Sequence, residues 1–390
     1  MMTQLPEESR QIVQNLRRFV DREVMPTVTK LEHDNEYPAA IVEQMKTMGL
    51  FGILIPREYK GLGLNYVTYA AITEELSRGW MSLGGIINSH YVVAHAIMEF
   101  GTQEQKERYL PDMAVGERRA CICMTEPNAG SDLQAIELTA KRDGDFYYLN
   151  GTKMFVTNGR NGNLYLVLGK TDKTANPPHR GMSTFIMEKG IQGFEIGRDI
   201  EKLGYKGIDT VSLHFDNAQV EARNLLEGKE GRGFVHVMSG IEVGRINTAA
   251  RAVGVAQAAF EDAIRYSQQR QAFGVPISQH QAIQFKLADM ATQIQAARLL
   301  TYYAAAKKDE GGRADKEAGM AKLFATEMAG MVTLEAMRVH GGYGYTKDMR
   351  VERYYRDAPF MMIAEGTNEI QRVVIARALL REYAEGPGTA

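Results

Sequence analysis

Glu365 is the residue whose setting comes nearest to chemistry. It closes an apolar run, Phe360-Met-Met-Ile-Ala364, and is followed by Gly366, Thr367 and a helix expected to open at about Glu369. Apolar walls raise a carboxylate pKa and the N–H groups of a helix start lower it, so an acid held between them is tunable. A general base needs that tuning. Taken alone, the pattern favours an ordinary first-turn glutamate that stabilises its helix.

A second polar stretch, Cys121-Ile-Cys-Met-Thr-Glu-Pro-Asn-Ala-Gly-Ser-Asp132, leaves an expected strand and enters a turn. Gly130 and Ser131 offer N–H groups and a hydroxyl close to a helical start at 131–134, which can hold a phosphate or pyrophosphate. Read without context it is a strand, a turn and a cap. The chain has no GxGxxG, no GxxxxGK[ST] and no GxSxG, so no dinucleotide fingerprint, P-loop or nucleophile elbow is indicated. Its eight histidines and two cysteines show no metal-ligand spacing.

The elements that must position these residues change texture twice along the chain. Up to about residue 115 the pattern is helical. Ile12, Val13, Leu16, Val20 and Val24 share one face of a helix over 7–25 that Pro26 ends. Further helices are expected over 39–48, 66–78 and 84–99. Thr102 and Gln105 form a capping-box signature for a short helix ending before Pro111. From 116 to 232 short β-rich runs take over: 119–125, 136–141, 146–149, 153–157, 164–168, 183–187 and 211–215. Asp143-Gly144, Asn150-Gly151 and Asn158-Gly159 read as turns between them. From 233 the helical period returns over 234–268, 279–307, 314–340 and 369–384, interrupted by Gly274-Val-Pro276, Gly311-Gly312 and the stretch before Glu365. The expected fold is α+β and multidomain: an all-α N-terminal domain (1–115), a middle β-barrel or sandwich (116–232) and a C-terminal antiparallel four-helix bundle (233–390). The tail 385–390 is expected to fray.

Composition points to a large core divided among two or three domains. The 390 residues are 44% hydrophobic, more than one core usually accommodates. A net charge of −2 gives no basic field for nucleic acid or an anionic membrane. Cys121 and Cys123 are the only cysteines. An i, i+2 bridge between them would be strained, and two thiols without a framework fit a reducing, cytoplasmic setting. The N-terminal MMTQLPEESRQ has no apolar signal core, and no apolar run reaches membrane-spanning length. Twenty-one methionines suit flexible core packing.

Six motifs in order, MTEPNAGSD (124–132), KMFVTNG (153–159), RQAFG (270–274), HQAIQFKLADM (280–290), HGGYGY (340–345) and EGTNEIQR (365–372), make the chain resemble the acyl-CoA dehydrogenase family over essentially its full length. The resemblance implies FAD bound between the β domain and the helical bundle, and a homotetramer. It implies oxidation of an acyl-CoA across Cα–Cβ, with electrons passing to electron-transfer flavoprotein. In that reaction Glu365 takes the α-proton while hydride leaves Cβ for flavin N5. The thioester carbonyl is held by the Glu365 N–H and a flavin ribityl hydroxyl, an oxyanion-hole logic.

The resemblance also assigns contacts. Met124 and Thr125 match residues along the flavin ring, and Gly130 and Ser131 match the pyrophosphate and CoA side. Phe155, Val156 and Thr157 match the strand behind the flavin. Arg270 matches an arginine on the FAD pyrophosphate of a neighbouring subunit, a bidentate task suited to a guanidinium. His280, Gln281, Gly341 and Gly342 match further FAD contacts, and Thr367 and Glu369 match the adenosine end. Arg245 with Glu242 matches the CoA nucleotide contacts; as a bare pattern the two are an exposed helix ion pair. Gly366 matches the neighbour that lets substrate approach.

Four positions depart from the family pattern. Phe155 replaces a common tryptophan and keeps an aromatic shield. Ala364 replaces the tyrosine that precedes the base in many straight-chain enzymes, which implies a wider acyl pocket for branched, cyclic or aromatic groups. Arg338 replaces a glutamine that touches the neighbouring FAD. Gly244 occupies the position, just before Arg245, from which one branch of the family projects its base, leaving Glu365 alone in a known place. Ile87, Asn88 and His90 lie where the acyl chain is expected to end. Alternatives within the fold are an oxidase or an enoyl-CoA reductase, and outside enzymology a flavin- or CoA-binding scaffold.

Overall fold

The computed structural model describes residues 6–384; the tail expected to fray lies outside them. The N-terminal layer holds α1 (Glu7–Phe19), α2 (Val28–His33), α3 (Ala39–Thr47), α4 (Tyr66–Gly79), α5 (Met81–Phe100) and α6 (Gln103–Ala114). The single helix expected over 7–25 is α1 followed by a wider π-type turn, Val20–Val24, which keeps Val20 and Val24 buried. The short α2 was not expected. The capping box is present: Gln105 N–H donates to Thr102 Oγ1 at 3.2 Å, and Thr102 N–H donates to Gln105 Oε1 at 3.1 Å. The helix it opens does not stop before Pro111. It runs through to Ala114 because Leu110, Met113 and Ala114 are buried, and their packing outweighs the hydrogen bond proline cannot make.

Every residue of α5 from Met81 to Ile97 is buried. A helix without a polar face belongs at the centre of a fold, and α5 has α4 and α7 against it.

The middle segment holds β1 (Ala120–Cys123), β2 (Thr139–Asp143), β3 (Phe146–Thr157), β4 (Leu164–Lys170), β5 (Met182–Glu188), β6 (Phe194–Asp199) and β7 (Thr210–Glu221). They form one seven-stranded sheet in the order β1-β4-β2-β3-β7-β6, with β5 also paired to β4. β1 runs parallel to β4, Cys121 opposite Tyr165; β3, β7 and β6 are antiparallel. The expected turn at Asn150-Gly151 is instead a bulge within one continuous strand, where the β3–β7 register shifts between Leu149 and Gly151. A second shift, between Lys153 and Val156, turns Phe155 outward at φ 56°. Strand β6 was not expected, since its sequence FEIGRD lacks a clean alternation. The helical start expected at 131–134 is only a 3₁₀ turn, Leu133–Ala135. Cys121 and Cys123 are buried and free.

The C-terminal layer holds α7 (Gly233–Gln269), a two-stranded hairpin of β8 (Gln271–Ala272) and β9 (Val275–Pro276), then α8 (Gln281–Asp309), α9 (Asp315–His340), α10 (Val351–Ile363) and α11 (Asn368–Ala384). Helix α10 falls where an irregular stretch was expected. Val351, Tyr354, Ala358 and Met361 are buried at helical spacing, and Pro359 sits inside it. Helix α7 packs on α8 and α9, and α9 on α10 and α11. One apolar core runs from the N-terminal helices (Leu76, Ile87) into the bundle (Val243, Ile246), while the sheet keeps its own core around Val167, Phe185 and Leu213.

Candidate active site

Glu365 lies in the short turn between α10 and α11. Its backbone is left-handed, φ 56°, and Gly366 follows at φ 81°. A left-handed glutamate is held there by its surroundings. Gln371 Nε2 donates to the carbonyls of Glu365 (3.2 Å) and Gly366 (2.9 Å). Lys322, on α9 and fully buried, donates to Met362 O at 3.1 Å, Gly366 O at 3.0 Å and Asn368 Oδ1 at 2.8 Å. Both flanks of the glutamate are thereby fixed to the bundle.

The side chain points into the space between α5 and α7. Asn88 Nδ2 donates to Glu365 Oε1 at 2.7 Å. On the other side is Gly244, where an added Cβ would stand 2.5 Å from Oε2. Burial raises the Glu365 pKa, opposed by the charge of Arg251, the Asn88 hydrogen bond and the charges of Arg245 and Lys322. The charged form therefore draws on α5, α7 and α9; the N–H groups at the start of α11 are not its partners, contrary to the sequence expectation. Burial also draws the Lys322 ammonium down to about 7, against the pull of Glu365.

Ala364 and Gly366 flank Glu365, and Thr367 caps α11, its Oγ1 accepting from Ile370 N–H at 3.3 Å. Glu369 is exposed in the first turn. Arg245 and Glu242 are not paired on an exposed face: both are buried. Arg245 binds Asp315 at 2.9 Å, while Glu242 faces Lys308 at 3.2 Å and Arg313 at 3.0 Å. Of the three residues expected at the end of the acyl chain, only Asn88 reaches Glu365. Ile87 is core, and His90 bonds Phe51 O at 3.1 Å with its pKa driven down to about 4 by burial.

A second group gathers at the sheet. Met124 and Thr125 follow β1 and are tied to β3: Lys153 Nζ donates to Met124 O at 2.9 Å, and Met154 N–H donates to Thr125 O at 2.8 Å. Lys153 also pairs with Glu126 at 2.7 Å in a buried ion pair. Glu126 in turn accepts the N–H groups of Glu137 and Leu138. This anchors the loop that presents Gly130 and Ser131, both exposed. Val156 is buried, Thr157 is half-buried, and the Phe155 ring is 59% exposed.

A third group surrounds a cavity of about 510 Å³ lined by Tyr266, Arg270, Ile277, Gly341, Gly342 and their neighbours. Arg270 is exposed and, among the described residues, has no carboxylate in ion-pair reach; added Cβ atoms on Gly341 and Gly342 would meet nothing within 4 Å. His280 bonds Ala272 O at 3.1 Å beside the cavity, and Gln281 opens α8. Arg338 points outward and pairs with Glu335.

Asn88 as a partner of Glu365, Lys322 and Arg251 escaped the sequence reading. A lysine inside the otherwise apolar face of α9 was the one available signal for Lys322. Glu32, His33 and Glu352 also converge closely enough to suggest a cation site, but Arg356 already engages both carboxylates.

The α–β–α chain thus sets a half-buried carboxylate in its helical layers and an exposed aromatic on its sheet. Family models give the class: the acyl-CoA dehydrogenase N-terminal domain matches residues 6–117, the middle domain 121–218 and the C-terminal domain 231–380. An acyl-CoA dehydrogenase of Bacillus subtilis (strain 168) is 43% identical over 366 residues, covering 94% of this chain and 96% of that protein. A 3-(aryl)acrylate reductase of Clostridium sporogenes is 41% identical, with 96% and 99% covered. The structure of butyryl-CoA dehydrogenase from Megasphaera elsdenii superposes with a TM-score of 0.94 at 37% identity, covering 97% of this chain and 99% of that one. This chain belongs to the acyl-CoA dehydrogenase family. Its reaction class is the family's, FAD-dependent α,β-dehydrogenation of an acyl-CoA.

The residues present fit FAD. Phe155 offers a bare apolar face at the sheet, the 130–131 turn offers N–H groups and a hydroxyl, and Arg270 offers an unpaired guanidinium beside an open cavity.

Proposed function

We propose that Glu365 removes the α-proton of the bound acyl-CoA. The observation that carries this is its setting: a left-handed, half-buried carboxylate with raised pKa, one oxygen held by Asn88 and the other facing Gly244. Asn88 fixes Oε1 and leaves Oε2 to accept the proton. A base with its pKa raised toward the working pH is the more effective one. The Glu365 N–H has no backbone partner among the described residues, so it is free to donate to the thioester oxygen as negative charge develops there. Bound FAD supplies the acceptor for the hydride leaving Cβ. Met124, Thr125, Phe155, Val156 and Thr157 flank its ring in this reading. Gly130, Ser131, Arg270, His280, Gln281, Arg338, Gly341, Gly342, Thr367 and Glu369 hold the remainder. Arg245 and Glu242 organise the CoA side, and the small Ala364 leaves the acyl pocket wide.

The reading extends to assembly. Phe273 is 96% exposed and Tyr345 86% exposed, with Phe285, Leu299, Tyr303 and Leu334 also bare on α8 and α9. Apolar surface of this extent marks an interface, in keeping with a homotetramer of three-domain chains divided near residues 115 and 232. Electron-transfer flavoprotein is the electron acceptor in this reading, and the two free thiols suit a cytoplasmic enzyme.

The test is anaerobic mixing of the holoenzyme with a panel of acyl-CoAs while flavin absorbance is followed. Rapid bleaching by one or two thioesters, lost in Glu365→Gln, is expected. Undiminished bleaching in the variant would move the base elsewhere.

A further inference from the structure

Three helices meet around Glu365, and one turn farther along each of them the same side chain, Tyr205, or its partner closes the space. On α5, Asn88 binds the carboxylate at 2.7 Å. Three residues back, a Cβ on Gly85 would overlap the Tyr205 hydroxyl and stand 2.5 Å from its Cζ. On α10, Phe360 lies one turn before Ala364, and its ring stacks on Tyr205 with centroids 4.2 Å apart. On α7, Gly244 touches the carboxylate and Thr248 follows one turn on. There Arg251, whose charge supports the ionised Glu365, folds back. Its guanidinium donates to Thr248 Oγ1 at 2.9 Å and to Tyr205 Oη at 3.4 Å. Its stem fills the adjoining space, since a Cβ on Gly84 would stand 2.8 Å from Arg251 Cγ. Beyond Glu365 the gap between α5 and α7 therefore ends in a wall of Tyr205, Phe360 and Arg251.

Tyr205 belongs to none of these helices. It comes from the connection between β6 and β7, residues 200–209, which enters between the two helical layers. It is 2% exposed and left-handed, φ 55°, a conformation that persists only where the surroundings fix it. The loop is tied at successive residues. Leu203 O accepts from Arg356 Nη1 at 3.1 Å, Tyr205 N–H donates to Asp357 Oδ1 at 2.6 Å, and Lys206 O accepts from Ser82 Oγ at 2.6 Å. Gly204 and Gly207 allow close approach, because a Cβ on either would strike Arg356 O or the Trp80 ring. The wall is thus set in close packing and does not yield to a longer ligand without strain.

We propose that Tyr205 is the floor of the acyl pocket and sets its depth: the substrate is a short acyl-CoA whose chain ends one helical turn, roughly 5 Å, beyond the Glu365 carboxylate. The proposal rests on Glu365 being the base at the reacting carbons. Ala364 gives breadth at the level of the base, and Tyr205 cuts off length one turn deeper, so the pocket takes a short acyl group with room for a branch. A longer chain meets the Tyr205 ring, and forcing extra methylenes into a packed site costs about 1–3 kcal/mol.

The test measures the second-order rate constant of anaerobic flavin bleaching of the holoenzyme by butyryl-, isobutyryl-, hexanoyl- and octanoyl-CoA. For wild type, the better of the two four-carbon thioesters is expected to exceed octanoyl-CoA by about 100-fold or more. In Tyr205→Ala, octanoyl-CoA is expected to gain at least about tenfold while the four-carbon thioester does not gain. Tyr205→Phe keeps the ring and should keep the wild-type ratio. Should Tyr205→Ala fail to hold FAD, the ratio in the milder Tyr205→Leu decides. A tyrosine that only ties the helices together would, when truncated, slow both thioesters alike and leave the ratio unchanged, which overturns the proposal. Octanoyl-CoA as fast as the four-carbon thioesters in wild type overturns it as well, as does bleaching by none of them. Bleaching that survives Glu365→Gln defeats the underlying reading separately.

Discussion

Gly244 and Glu365 are in van der Waals contact across the junction of α7 with the α10–α11 turn: a Cβ at residue 244 would lie 2.5 Å from Oε2 and 2.9 Å from Cδ. Gly244→Ala must therefore push the carboxylate aside. A displacement of about 1 Å at a reacting group costs on the order of 10²-fold in rate. The expected result is a drop of that size in kcat/KM with FAD content and melting temperature close to wild type. An active Ala variant would mean that the carboxylate moves away from Gly244 before it acts.

Asn88 supports the ionised form of Glu365 through the 2.7 Å bond to Oε1. Removing a hydrogen bond to the charged form raises the pKa further. In Asn88→Ala the acid limb of the kcat/KM profile should shift to higher pH, with the loss greatest below neutrality. Asn88→Gln, which keeps a donor, should shift it less. A profile that keeps its wild-type limb in both variants removes Asn88 from the machinery.

The raised pKa of Glu365 also predicts a conflict between function and stability. Between the ordinary glutamate value and the raised one, the folded chain holds a proton that the unfolded chain releases. Stability contributed by this group is therefore present at low pH and falls as pH rises through that window. Glu365→Gln removes the penalty. It should melt higher than wild type at pH 8, by a few degrees, with the difference narrowing toward pH 4. Calorimetry of the FAD-loaded proteins at both pH values checks this; an equal difference at both would indicate a cause other than ionisation.

The broad division into helices, sheet and helices was legible because hydrophobic period changes near residues 115 and 232, and the Thr102 capping box was legible because it is local. Helix α10 was not, since Pro359 and two charged pairs obscure its period. The β3 bulges were not, since Asn150-Gly151 is also a turn signal. Glu365 stood out through its immediate neighbours. Its partners did not: Asn88 is 277 residues away in sequence, and Lys322 and Arg251 are internal helix residues. The packing of α5, α7 and α9, rather than spacing along the chain, brings them to the base.

Lys322 fastens the end of α10 to the start of α11, with three donors spent on Met362 O, Gly366 O and Asn368 Oδ1. Lys322→Met leaves Met362 O without its side-chain donor, while Gly366 O keeps Gln371 Nε2 and Asn368 Oδ1 keeps Thr326 Oγ1, so the expected cost is about 1–3 kcal/mol. Denaturant unfolding should show a loss in that range. Because the same clamp orients Glu365, kcat for the best thioester should fall by at least about tenfold at saturating substrate. A stability loss with kcat intact would confine Lys322 to the fold.

Arg270 caps α7 at the edge of the 510 Å³ cavity, exposed and with no carboxylate partner among the described residues. Beside it the hairpin presents Phe273 at 96% exposure on a left-handed backbone. A bare aromatic next to an unpaired guanidinium suits a place where another subunit and an anion arrive together. If Arg270 binds the pyrophosphate of a neighbour's FAD, cofactor retention and assembly are one property. Arg270→Ala should then lose flavin on gel filtration and elute partly below the size of the wild-type assembly. Added FAD should restore both together, since a ligand that binds only the assembled form stabilises it by mass action. Arg270→Lys, which keeps the charge but not the fork, should fall between. A flavin-free variant of wild-type size would separate the two roles, and a fully loaded one of wild-type size would remove Arg270 from both.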